Sequence, residues 1–257
     1  MMHLNLDHSQ AKQAQQSRGL TMKLRCMILV WTLFYFNVDQ TKANASEGKF
    51  FRIFNGKTLE GWSPSFPQAS EAWYVRDDYI VGEGKKGRCY LIYDGNRDIA
   101  DFELKFSYKF ISDEGNTGVE VRSHPVKGKA SRLHGYHADI GHVGIGDKVL
   151  GAWDFHENNR GDYLAKRGHR VTIKDNGEKE IEEIKNAFKP EDAKKGEWNE
   201  VIVFAKANKL WFTINGKIAS EVIDNEKAKR LDKGFIGFQL HSGDKMVIAF
   251  KDISVKR

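Results

Sequence analysis

Three stretches of this 257-residue sequence set functional side chains two apart among apolar ones. In 118–123 (GVEVRS), Glu120 and Arg122 alternate with Val119 and Val121. In 135–140 (GYHADI), His137 and Asp139 oppose Ala138 and Ile140, and in 238–241 (FQLH), Gln239 and His241 oppose Phe238 and Leu240. A spacing of two is what an extended strand needs to aim two side chains into one groove. Together these stretches offer carboxylates, a guanidinium, imidazoles and an amide, groups that move protons and hold charge developing on oxygen. A fourth stretch, 153–160 (WDFHENNR), sets Asp154, Glu157 and Arg160 beside Trp153. Ring faces beside carboxylates and arginine suit sugars, whose apolar faces stack while their hydroxyls are bonded. Trp62, Trp73 and Trp153 are the candidate platforms.

Histidines 124, 134, 137, 142 and 156 crowd one region, which raises the question of a metal. No HExxH spacing occurs, and sequence alone fixes no third ligand beside His137 and His142. The cofactor therefore stays open, a divalent cation included. Two cysteines, Cys26 and Cys89, exclude both a disulfide scaffold and a cysteine-cluster zinc site.

The elements that must carry these residues read as strands. Residues 101–110 (DFELKFSYKF) alternate strictly, with Phe102, Leu104, Phe106, Tyr108 and Phe110 on one face. Strands are also expected at 200–206, 210–214, 217–222, 235–241 and 246–255. Asn215-Gly216 marks a hairpin between 210–214 and 217–222. Residues 51–54 are strand-like as well, so the two ends of the domain can meet in one sheet. The one helical pattern is 178–188 (EKEIEEIKNAF), with Ile181, Ile184 and Phe188 on one face and Pro190 beyond. Many short strands and one short helix predict an all-β fold, a two-sheet antiparallel sandwich over residues 46–257 as a single domain.

The first 45 residues belong apart. An apolar run at 26–36 (CMILVWTLFYF) follows Lys23 and Arg25 and precedes Ala43-Asn44-Ala45, the layout of a secretory signal cut after Ala45. Met22 is a plausible start, since 1–21 is polar and patternless. Residues 1–45 hold five of the 41 Lys/Arg and two of the 35 Asp/Glu, so the rest carries a net charge of +3 rather than +6. No basic tract interleaved with aromatics remains, which argues against nucleic acid as a partner. The expected location is periplasmic or secreted, with no stable membrane anchor after cleavage.

Seven motifs in order resemble one family, the 3-keto-disaccharide hydrolase domain, also described as a 3-keto-glucoside lyase and hydratase. They are Phe54-Asn55-Gly56-Lys57-Thr58-Leu59-Glu60-Gly61-Trp62, Asp101-Phe102-Glu103-Leu104, Gly115-Asn116-Thr117-Gly118-Val119 and Gly135-Tyr136-His137-Ala138-Asp139-Ile140-Gly141. The series ends with Glu197-Trp198-Asn199, Ile214-Asn215-Gly216 and Gly237-Phe238-Gln239-Leu240-His241-Ser242-Gly243. His137 stands where the family usually has Gln. The resemblance implies a concanavalin-like jelly roll and a carbohydrate substrate already oxidised to a ketone at C3. Such a ketone acidifies the C2 proton, so elimination at C1 followed by hydration gives net hydrolysis. In this scheme Asp139 or His137 is the base, Arg122 or a divalent cation stabilises the enolate, and His241 is the acid. Glu120, Trp153, Asp154, Glu157, Arg160 and Gln239 bind substrate. The competing classes are a non-catalytic carbohydrate-binding module and a conventional two-carboxylate glycosidase. Expression in a bacterial host should yield an exported form beginning at Ser46, read by intact-mass spectrometry; a product keeping residues 1–45 would refute the cleavage.

Overall fold

The computed structural model describes residues 48–113, 115–143, 149–157, 160, 163–241 and 245–257. The leader and residues 242–244, between the last two expected strands, lie outside them. Residues 49–257 form one compact unit. Its strands, in chain order, are β1 (Phe51–Arg52), β2 (Trp62–Pro64), β3 (Trp73–Arg76), β4 (Tyr79–Glu83), β5 (Cys89–Tyr93), β6 (Phe102–Phe110), β7 (Gly115–Val126) and β8 (Lys129–Val143). They continue as β9 (Trp153–His156), β10 (His169–Ile173), β11 (Lys179–Glu183), β12 (Asn199–Lys206), β13 (Lys209–Ile214), β14 (Lys217–Asp224), β15 (Phe235–Leu240) and β16 (Val247–Lys256).

They build two sheets. One runs β11-β10-β14-β13-β12-β6-β16-β4-β3, with β1 pairing β16, and the other runs β2-β5-β15-β7-β8-β9. The expected sandwich is thus the observed one. The β1–β16 pair closes the two ends of the domain into one sheet. Alternation explains the layering: every second residue of β6 and β12 is buried, and its neighbours are half-exposed or exposed. Phe238 of the smaller sheet stacks on Phe250 at 4.4 Å and meets the edge of Phe106 at 5.0 Å, both from the larger sheet. These interleaved aromatics are the centre of the core, and truncating one costs about 3–5 kcal/mol.

The expected helix at 178–188 is a strand instead. Residues 179–183 pair antiparallel with β10 through a turn at Asn176-Gly177, where Gly177 takes a φ of +84°. The strand is exposed throughout, and Ile181 remains 63% exposed. The apolar residues fall at helical spacing, but of that face only Phe188 enters the core, while Ile184 is half-buried and Ile181 is exposed. The backbone pairing of the hairpin decides the matter instead.

The two sheets are also tied by buried charge. Arg160 donates to both Asp224 carboxylate oxygens, at 2.6 and 2.8 Å, and to Glu226 at 3.0 Å. Tyr136 of β8 donates its hydroxyl to the same Asp224 at 2.5 Å, and the Arg160 guanidinium lies over the Phe155 ring. Asp224 has no exposed surface. Removing one member strands the other as an uncompensated buried charge. Asp224→Ala should therefore lower unfolding stability by about 3–5 kcal/mol in urea titration, and a loss under about 1 kcal/mol would show that the ion pair contributes little.

Candidate active site

The outer face of the smaller sheet gathers the chemistry. Register puts Glu120 of β7 opposite His137 of β8, and His137 opposite Asp154 of β9. One step along, Gly118 faces Asp139, and Gly135 faces His156. The glycines make the crowding feasible. A Cβ on Gly118 would sit 2.1 Å from His137 Nε2, and one on Gly135 would sit 2.0 Å from Ser123 Oγ.

His156 is held between two carboxylates. Its Nδ1 lies 2.6 Å from Glu120 Oε1 and its Nε2 3.3 Å from Asp154 Oδ2. Ser123 Oγ donates to the other Glu120 oxygen at 2.7 Å. The His137 ring stacks on His156 at 4.5 Å, and its Nδ1 is 3.6 Å from Asp139 Oδ1. Burial alone would strip the proton from His156, but Glu120 and Asp154 outweigh it and push its pKa up to about 10. The same imidazolium holds the Asp154 carboxyl below its ordinary range despite burial. Glu120, His137, Asp139 and Gln239 are buried, while the Asp154 side chain keeps 26% of its surface, so access is from the β9 side.

Residues 49–256 match the model of the 3-keto-alpha-glucoside-1,2-lyase-like domain. The chain belongs to that family. Membership places this lyase-like domain among carbohydrate-acting proteins. A search of curated proteins finds no match. Among solved structures, a protein of Parabacteroides distasonis ATCC 8503, provisionally named a glycosyl hydrolase, is 18% identical with a TM-score of 0.54. That alignment covers 82% of this chain and 94% of the other. The carbohydrate-binding module CBM66 of Bacillus subtilis is 13% identical with a TM-score of 0.53, covering 79% and 98%. The catalytic domain of an endo-1,3-beta-glucanase from Thermotoga petrophila is 10% identical with a TM-score of 0.51, covering 82% and 98%. These likenesses speak for the fold.

The patch brings together Glu120, His137, Asp139 and Asp154, four of the residues singled out from the sequence, and it adds His156. Gln239 borders it: its Nε2 is 3.4 Å from the Tyr90 hydroxyl, and its Oε1 has no partner among the described residues. Arg122 is elsewhere. A bulge interrupts the β7–β8 register after Val121, and Arg122 takes a φ of +50°. That rotation sends the guanidinium to the sheet margin, where it donates to Ala100 O at 2.9 Å, Ala207 O at 2.6 Å and Asp101 at 3.2 Å. Arg160 is likewise absorbed by Asp224. Trp153 is fully buried against Phe212, and Trp62 and Trp73 are core residues too, so none is a sugar platform. Glu157, at a φ of +63°, turns away to Lys129 and Arg132. His241 Nε2 lies 2.6 Å from an Arg88 nitrogen. A guanidinium only donates, so that imidazole nitrogen accepts and offers no proton as an acid.

Sequence reasoning counted His156 in the histidine cluster but gave it no role of its own, although Trp153-Asp154-Phe155-His156 carries the same alternation used elsewhere. It also missed Tyr90, Ser123 and Arg88, whose surroundings mark nothing until strands are paired.

The donor set fits a divalent cation. Both ring nitrogens of His137 are buried without a hydrogen-bond partner among the described residues. Glu120, His137 and His156 form one group with ligand atoms within 4.8 Å of each other, and His137, Asp139 and Asp154 form a second. Mixed imidazole and carboxylate donors suit zinc or manganese better than calcium or magnesium. At a hundredfold excess over Kd, zinc or manganese should stabilise by about 2.7 kcal/mol, a melting shift of about 5–10 °C. His137→Ala should abolish the shift, and an equal shift in that variant would remove the cation from this site.

Proposed function

We propose that this domain cleaves 3-keto-glucosides by removing the C2 proton, eliminating the C1 substituent and adding water to the resulting enone. The reading rests on one observation above all: an imidazole, His137, with no hydrogen-bond partner among the described residues, beside the Asp139 carboxylate and stacked on a His156 held between Glu120 and Asp154, on a buried sheet face. Proton abstraction beside a ketone needs a base and a fixed positive charge for the enolate. In this proposal Asp139, acting with His137, takes the C2 proton. His156, clamped by Glu120 and Asp154, faces the enolate oxygen in the place first given to Arg122. Protonated His137 then returns the proton to the departing C1 oxygen, the role first given to His241. Gln239 accepts a sugar hydroxyl through its open oxygen.

Where a divalent cation is held by Glu120, His137 and His156 instead, it would take over from the His156 proton in stabilising the enolate, and Asp139 would both take and return the proton. A pure carbohydrate-binding module has no use for three carboxylates around two imidazoles, and this distinguishes the proposal from that reading. The 26–36 apolar run supports work outside the cytoplasm, on sugars oxidised before they reach the enzyme.

Incubation with a 3-keto-glucoside should release the aglycone, whereas the unoxidised glucoside should stay intact. Asp139→Asn should reduce turnover by about 10²–10⁴-fold, with the fold checked by circular dichroism. Activity of that variant within a few-fold of wild type would remove Asp139 as the base. Release from the unoxidised glucoside alone would overturn the reaction.

A further inference from the structure

A groove of 560 Å³ opens beside the site, lined by Phe66, Gly128, Lys129, Ala130, Ser131, Arg132 and Glu157. Its volume suits one sugar-sized group. Three walls are each anchored one residue away from the site's surroundings. Phe66 follows Ser65, whose N–H donates to Tyr90 O at 2.8 Å and whose hydroxyl accepts from Tyr90 N at 3.1 Å. Arg132 precedes Leu133, which packs with Tyr90, Ile92 and Phe235 in a separate apolar cluster. Glu157 follows His156 directly. Phe66 stands just beyond β2 at one side of the smaller sheet, and Lys129, Arg132 and Glu157 belong to β8 and the end of β9 at its other side, so the groove bridges elements of the sheet that carries the site.

Its charge is unbalanced. The Glu157 carboxylate is shared between Lys129 at 3.0 Å and Arg132 at 3.5 Å. Two cations thus meet one anion, with the Ser131 hydroxyl and the Phe66 ring beside them. A second carboxylate, brought on a ring that rests against Phe66, would complete this set. Charge-assisted bonds from Lys and Arg to a carboxylate are the strong ones.

We propose that this groove holds the leaving group of the cleaved glycoside and favours a leaving sugar that bears a carboxylate, of the uronic acid type. The order of events rests on the proposed reaction, whereas the preference for an acidic sugar does not. Two measurements keep them apart. In the first, kcat/KM is compared for 3-keto-glucosides whose leaving group is methanol, glucose or glucuronate. Wild type should prefer the glucuronate compound, and Lys129→Ala/Arg132→Ala should lower that preference about 10-fold while changing the methyl compound less than about 2-fold. Phe66→Ala should weaken both sugar leaving groups together.

In the second, saturation-transfer NMR reads free glucuronate and free glucose on wild type and on the double variant. Glucuronate should give the stronger signal, lost in the variant and in high salt. Equal signals, or a signal unchanged by the substitutions, would overturn the groove assignment. Selective glucuronate binding without cleavage of any keto-glucoside would uphold the groove and sink the reaction. Cleavage of the methyl compound without selectivity would do the reverse.

Discussion

Three carboxylates and two imidazoles share one largely buried patch of sheet, and such a concentration of acidic groups calls for a cation among them. Glu120, Asp139 and Asp154 each come from a different strand or strand position, and pairing brings them within reach of His137 and His156. The His156 proton answers part of that need, since burial is overridden by two flanking acids. A divalent ion would answer more of it. In the proposed reaction a proton and a metal would compete for the same acids.

The rest of the fold serves to hold that patch still. Interleaved aromatics around Phe238 fix the smaller sheet against the larger, and Phe238 neighbours Gln239 on the same strand. Glycines at 118 and 135 give His137 and Ser123 their room. The two arginines once assigned to chemistry act as braces. Arg122 binds carbonyls at the sheet margin, and Arg160 joins β14 to the β8 side through Asp224 and Tyr136. Each lies inside the protein, where a lone guanidinium would be costly, so each has its hydrogen-bond capacity directed at fixed acceptors.

Much of the architecture could be read without coordinates because period-two alternation is a local property. The strands at 102–110, 199–206 and 235–240 were legible in this way, as was the Asn215-Gly216 hairpin, with positive φ at both residues. The 178–188 segment failed for the complementary reason. Its apolar spacing fits a helix, but a helix gains its stability from burying a face, and only the fold shows whether a surface is there to receive it.

Sequence by itself determined the sheet class, the family and the residue types of the site, including the His137–Asp139 pair, because these follow from chemistry and alternation along one strand. The tertiary structure decided which of the candidates meet. A single-residue bulge after Val121 moved Arg122 off the active face, and burial made Trp153 a core residue. Strand pairing placed His156 between Glu120 and Asp154. Bulges and cross-strand neighbours depend on partners far away in the chain, and no local pattern carries that information.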